Sequence, residues 1–147
     1  MRTVGTKGIA MRLRKILGAI VAVSVVIQVA VPEKAGVLLE GFSTDVPSPA
    51  AGGGNVTWWW DSLAAQANSL KLAGFSAIWI PPPLKGAAGG YSDGYDPFDD
   101  YDLGSKNEKS SYPTRYGDRE QLERSVAMMR ANGLDVYADI VDNHRSG

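Results

Sequence analysis

At 147 residues the chain is long enough for one modest domain, since single cores gather about 100–200 residues. It contains no cysteine, which excludes a disulfide framework and a thiolate zinc site. The formal net charge is −1, but the first fifteen residues hold five basic and no acidic side chains, leaving ten Lys and Arg against sixteen Asp and Glu, a charge of −6. An acidic body excludes nucleic acid as a partner, because phosphate binding requires a basic face.

In chain order, the first segment is not read as domain. Arg2, Lys7, Arg12, Arg14 and Lys15 precede the apolar run Ile16 to Val31, in which only Ser24 and Gln28 are polar. A basic region before an apolar one is the pattern of a secretory signal. The run is shorter than the about 20 residues that span a bilayer, so no stable membrane insertion is expected after cleavage, and an uncleaved anchor is the alternative. Secretion, or export to a periplasm, is the expected location. Met11 is a second candidate start, and Ala22-Val23-Ser24 has cleavage-type spacing but would leave a short apolar region. Residues 1–35 are therefore assigned to the basic segment, signal and short linker, and residues 36–147 to the folded part.

Gly36 to Phe42 is a short apolar run bounded by glycines and predicts a buried strand. Ser43 to Asn55, rich in Pro, Gly and Ser, predicts a loop. A helix is expected from an N-cap at Thr57, with Leu63, Ala67 and Leu70 at helical spacing and Gly74 as its stop. Phe75 to Ile80 predicts a second strand that Pro81-Pro82-Pro83 must end. A long loop, Leu84 to about Tyr116, is dense in Gly, Tyr and Asp. Such length signals function or disorder. Asp118 three residues before Gln121 marks a capping box, Leu122, Val126 and Met129 mark one helix face, and Asn132-Gly133 closes the helix. Leu134 to Val141 predicts the third strand.

The order β-α-β-α-β with apolar strands implies an α/β fold with parallel pairing. An open doubly wound sheet and the start of a (β/α)₈ barrel both fit, and in both the chemistry gathers at the carboxyl ends of the strands. Gly52-Gly53-Gly54-Asn55-Val56-Thr57 resembles a damaged G-x-G-x-x-G, but it stands some ten residues beyond its strand and the second strand is followed by prolines, not a ribose-binding acid. A flexible loop is the better reading.

In a fully buried strand an unpaired Asp139 would cost several kcal/mol, so it must meet a partner or a polar cavity; a buried ion pair and a site residue remain equal readings. Asn143 offers the carbonyl oxygen that calcium takes, or serves as a turn residue. His144, the one histidine, stands just past the strand as a hydrogen-bond donor or acid–base group, or as a loop histidine. Asp142 is read as a solvated neighbour. Residues 90–104 place five aspartates among four aromatic rings, which suits a sugar: rings cover pyranose faces and carboxylates accept hydroxyl protons. The stretch lacks EF-hand spacing. Trp58, Trp59 and Trp60 are read as a helix start packed on the core.

Two stretches, GYDPFDDYDLG at residues 94–104 and DIVDNH at residues 139–144, resemble signature stretches of the α-amylase family of glycoside hydrolases. Residues 72–86 and 114–139 are similar to the connecting elements of that family in the same order. The resemblance implies the first three β/α units of a (β/α)₈ TIM barrel, incomplete here, from an enzyme hydrolysing α-1,4-glucosidic bonds within starch-like polysaccharides or oligosaccharides by a retaining mechanism. It implies a structural Ca²⁺ with Asn143 as a ligand, Asp139 as the aspartate that helps order the catalytic centre, His144 as a donor to the sugar beside the scissile bond, and Tyr95 stacked on that sugar. The first strand lacks the aromatic residue that many members carry after its phenylalanine.

Retaining glycosidases need a carboxylate nucleophile and an acid about 5–5.5 Å apart. In the family these follow the fourth and fifth strands and a third aspartate follows the seventh, and no carboxylate of this chain matches them. A whole barrel takes about 250 residues. The expectation is thus the amino-terminal part of an exported α-amylase, inactive as an isolated chain and a weak binder of calcium. A non-catalytic or degenerate carbohydrate-binding fragment is the alternative, as is another α-glucan specificity: glucosidase, transglycosylase or pullulan-degrading.

Overall fold

The computed structural model describes residues 36–147; the basic segment, the apolar run, Met11 and the Ala22-Val23-Ser24 triplet lie outside the described residues. The elements are β1 Leu38–Glu40, α1 Trp59–Leu72, β2 Ala77–Ile80, β3 Lys85–Gly86, β4 Pro97–Asp99, α2 Arg119–Ala131 and β5 Asp135–Ala138. Strands β1, β2 and β5 form a parallel sheet in that order, Leu39 beside Ile78 and Val136, Glu40 beside Trp79 and Tyr137. The α/β class and parallel pairing are as expected. Each strand is shorter than its apolar run, β1 and β5 at both ends and β2 at its amino end alone, where it reaches the expected Ile80 before the prolines.

Each crossover between neighbouring parallel strands is right-handed by default, and two such crossovers in one direction put both helices on one sheet face. Ile78 and Ile80 there join Trp60, Leu63, Ala67, Leu122 and Met129 in the core, with Leu39, Val136, Leu70 and Val126 packed at its margin. Helix α1 starts differently from expectation: Trp58, not Thr57, is the N-cap, and no side chain caps it. Instead Trp60 N donates to Tyr116 O at 3.1 Å, so a distant loop satisfies one orphan amide. Helix α2 opens on the expected capping box, Gln121 N to Asp118 Oδ1 at 2.8 Å and Asp118 N to Gln121 Oε1 at 2.9 Å. The helices are tied by Asp61, which accepts from Gln121 Nε2 at 2.6 Å and Arg124 Nη2 at 2.7 Å.

The opposite sheet face carries no helix and is open at its edges. By strand alternation, Leu38, Glu40, Trp79, Tyr137 and, one step past β5, Asp139 share it, and Leu38 and Tyr137 are exposed. Strand β5 is therefore not the fully buried strand expected: only β2 has neighbours on both sides, and three residues of β5 are exposed. The ladder continues one residue further through Asp139 N to Ile80 O at 3.0 Å, which fixes the Asp139 backbone at the carboxyl edge.

The 84–116 segment is not the plain loop expected. Strands β3 and β4 pair antiparallel, and Lys85, with no exposed surface, lies beneath the segment. Its Nζ donates to Ser111 O at 2.7 Å and Tyr112 O at 2.9 Å and pairs with Asp102 Oδ2 at 3.3 Å. Asp102 Oδ1 accepts the amides of Gly104 at 2.9 Å, Ser105 at 2.6 Å and Lys106 at 3.1 Å. A buried ammonium and a buried carboxylate thus satisfy loop backbone that would otherwise be orphaned.

Candidate functional site

The carboxyl ends of β2 and β5 meet the 92–97 turn, and there three of the four sequence-predicted residues come together. Tyr95 Oη donates to Asp139 Oδ2 at 2.6 Å, and His144 Nε2 lies 3.0 Å from Tyr95 O. A carbonyl oxygen only accepts, so Nε2 carries the hydrogen in this arrangement and Nδ1 stays available. The first strand adds Phe42, edge-on to Trp79 with centroids 5.6 Å apart, and Gly41 O accepts from Trp59 Nε1 at 2.8 Å.

Local sequence explains why Tyr95 sits there. Gly94 adopts φ +96°, and a Cβ on it would lie 2.6 Å from Pro82 Cβ, so only glycine lets the turn press on the prolines that end β2. Tyr116, in the core, donates Oη to Asp93 O at 2.9 Å and holds the turn from below. Two further attachments were not anticipated from sequence: Arg145 donates to Asp100 Oδ2 at 2.6 and 3.0 Å, and Ser146 N to Pro97 O at 2.8 Å. Together they fasten the stretch carrying His144 to β4. The signal was an arginine directly after the histidine and an unassigned aspartate in the acidic loop.

Most aspartates of that loop face their own chain instead of a cavity. Asp96 accepts from Ala88 N at 2.8 Å and from Ser92 Oγ; Asp99 accepts from Tyr101 N at 2.8 Å and pairs with Lys106. Asp102 is buried in its ion pair. The reading of five carboxylates as sugar acceptors is corrected accordingly: Asp99 and Asp102 bond amides two to four residues on and build turns, and Asp96 reaches back across the loop to Ala88.

Asn143 is exposed beyond β5, and among the described residues no cluster of three or more His, Cys, Asp or Glu side chains is placed to hold a metal ion. Calcium takes six to eight oxygen ligands. The residues present do not fit such an ion by themselves.

The Tyr95 phenol is 42% exposed, yet its pKa is pushed well above the ordinary tyrosine value, first by burial and then by the hydrogen bond and charge of Asp139, with smaller effects from Asp93 and Glu40. Neutralising the partner in Asp139→Asn is expected to move the Tyr95 transition back toward the ordinary value of about 10. Ultraviolet difference titration against a Tyr95→Phe control reads it. An unmoved transition would show that burial alone sets it.

No protein-family model matches the chain. Among curated proteins it is similar to the cytoplasmic α-amylase of Escherichia coli K12, 43% identical over 88 residues, 60% of this chain and 18% of that protein. It is 45% identical over 89 residues to the glucan 1,4-α-maltohexaosidase of Bacillus sp. strain 707, covering 60% of this chain and 17% of that one. It is 40% identical over 89 residues to the α-amylase of Geobacillus stearothermophilus, covering 60% and 16%. The chain thus spans less than a fifth of the length of these relatives. Among solved structures, truncated alternansucrase from Leuconostoc mesenteroides NRRL B-1355 superposes with a TM-score of 0.60 at 23% identity, covering 76% of this chain and 10% of the other. That likeness is one of fold. By sequence the relatives are α-amylases and related glycosidases.

Proposed function

We propose that this relative of the α-amylases is the amino-terminal portion of an α-amylase-family glycoside hydrolase, with residues 36–147 forming the first three β/α units of a (β/α)₈ barrel. The whole protein would cleave α-1,4 bonds within starch-like glucans with retention. The observation that carries the reading is the placement of Asp139. It stands at the carboxyl edge of a parallel sheet, on the face away from the helices, where barrel strands direct their site residues. The exposed Leu38, Glu40 and Tyr137 and the half-buried Trp79 on that face are what further strands would cover as the inner layers of the barrel.

In that setting Asp139 holds the Tyr95 hydroxyl and so fixes the part-exposed ring, which would lie on a sugar. His144 bridges to the same turn through Nε2 and keeps Nδ1 for a sugar hydroxyl. These groups bind and orient; none is a nucleophile or acid for the scissile bond. A structural calcium would need oxygens from outside residues 36–147 beside that of Asn143. Secretion or periplasmic export rests on the basic and apolar pattern before residue 36.

The 147-residue chain, purified free of host amylase, is expected to release no reducing sugar from soluble starch, because positioning groups alone give little differential binding of the transition state. Measurable release would overturn that expectation. The family reading is tested by reading the gene past codon 147. An Arg-x-Asp after a fourth strand and a glutamate after a fifth support it, and an open frame without them contradicts it.

A further inference from the structure

Away from the strand ends, a cavity of about 400 Å³ lies between the turn at Pro49, the start of α1 and the segments 88–91 and 109–113. Its walls include three aromatic rings, Trp58, Tyr91 and Tyr112, together with Pro49 and Ser110. None of Tyr95, Asp139, Asn143 or His144 lines it. Tyr91 is 67% and Tyr112 54% exposed, large apolar surface held in the open without any use by the strand-end site.

The walls are built, not incidental. Arg115 donates to Val46 O at 2.8 and 3.2 Å and to Tyr91 O at 3.1 Å, tying the 46–50 wall to the 88–91 wall. Ser111 O and Tyr112 O are anchored to buried Lys85. A Cβ on Gly90 would lie 2.6 Å from Ala50 Cβ, so the two walls touch at backbone distance. Lys109 at φ +50° and Ser110 at φ +61° are in the left-handed region. That conformation is uncommon outside glycine and is maintained where surroundings over-determine it; here the Glu108–Ser111 bridge closes the turn and the Lys109 ammonium sits 4.0 Å above the Phe98 ring.

We propose that this cavity is a binding site for an α-glucan chain, separate from Tyr95, Asp139 and His144. The proposal rests on the α-glucan reading above. Aromatic rings offer flat apolar faces to the C–H faces of pyranoses while a phenol keeps a polar edge. Among the described residues neither the Tyr91 nor the Tyr112 phenol oxygen is engaged in a hydrogen bond, and Ser110 adds a hydroxyl at the rim. No carboxylate lines the cavity, so it does not select a cation. Rigid walls mean that a sugar would meet a preformed surface, which lowers the ordering cost of binding.

The test is a fluorescence titration of the full chain with maltohexaose, beside Trp58→Ala, Tyr112→Ala and Tyr95→Ala variants. Trp58 caps α1 only through its backbone, and the Tyr112 ring is largely exposed, so both variants should keep the parent circular dichroism. Saturable binding that weakens about tenfold or more in Trp58→Ala and in Tyr112→Ala supports the site. Binding lost in Tyr95→Ala but kept in those two places the sugar at the strand ends; this overturns the cavity assignment and leaves the family reading standing. No binding by the parent chain also overturns it. A proline-rich peptide that saturates the parent where maltohexaose does not would assign the cavity to peptide and overturn the proposal.

Discussion

Replacing Asp102 with alanine is expected to destabilise the fold by about 3–5 kcal/mol, the range for breaking a buried pair from one side. Domains of this kind have a total stability of only about 5–15 kcal/mol, so the variant should lose a large share of it and unfold at a much lower urea concentration than the parent. The reason is geometric. Asp102 and Lys85 have no exposed side-chain surface, and removing the carboxylate leaves a buried ammonium beside three amides that have lost their acceptor. Urea unfolding followed by tryptophan fluorescence measures it; a loss under about 1 kcal/mol would mean that water replaces the carboxylate. The double variant Lys85→Met with Asp102→Leu should recover part of the loss, since an apolar pair of similar volume strands no charge. The acid response has a definite sign. Burial pushes the Asp102 carboxyl up, but the Ser105 amide, the Lys85 charge and the Gly104 amide outweigh it and hold it below the usual carboxylate value. A group depressed on folding stabilises fully above its unfolded pKa of about 3.9 and loses that contribution as pH falls through the folded value. Parent stability should therefore fall below about pH 4, and the Asp102→Asn curve should be flatter there.

How much of this was legible depends on the range of the interactions. The helices were readable because Leu63, Ala67, Leu122 and Met129 repeat at helical spacing and the Asp118–Gln121 box is local. The parallel sheet followed from apolar runs separated by helices. Strand ends were less readable, since whether Val37 or Val141 pairs is decided by a neighbouring strand, not by its own sequence. The helix start moved to Trp58 because the Tyr116 carbonyl, far along the chain, provides the acceptor that Thr57 was expected to supply. In the acidic loop, composition alone could not separate carboxylates that face a ligand from those that bond their own turns. The offset of Asp102 to Gly104 and Ser105 was the local hint. The inward placement of Lys85 left no such trace, as a lysine before a glycine reads as surface. The contact between Tyr95 and Asp139 joins residues 44 positions apart, so only the resemblance of both motifs to one family could anticipate it. The exposed sheet face was legible only as a consequence of counting strands.

The link between core and site makes a second large effect predictable. Trp60→Ala should cost about 3–5 kcal/mol, as expected for truncating a fully buried large aromatic. Trp60 has no exposed surface and packs on Tyr116 with centroids 5.3 Å apart, and a Cβ on Gly117 would lie 2.8 Å from Trp60 Cδ1, so the indole fills its space against both a ring and bare backbone. Trp60→Phe should cost less than alanine, because the buried indole N–H has no partner in the protein and phenylalanine removes it along with some volume. The consequence extends to the site, since the Tyr116 hydroxyl holds Asp93 O and Asp93 leads through Gly94 to Tyr95. Tyr116→Phe separates the two roles: the ring stays against Trp60, and only the hydrogen bond, worth about 1 kcal/mol, is lost. If the core positions the site through that hydroxyl, Tyr116→Phe keeps most of the stability yet moves the Tyr95 transition toward its ordinary value, as Asp139→Asn does. If Tyr116→Phe leaves that transition where it was, Pro82 and His144 alone are enough to hold the turn, and the route from core to site through Tyr116 is wrong.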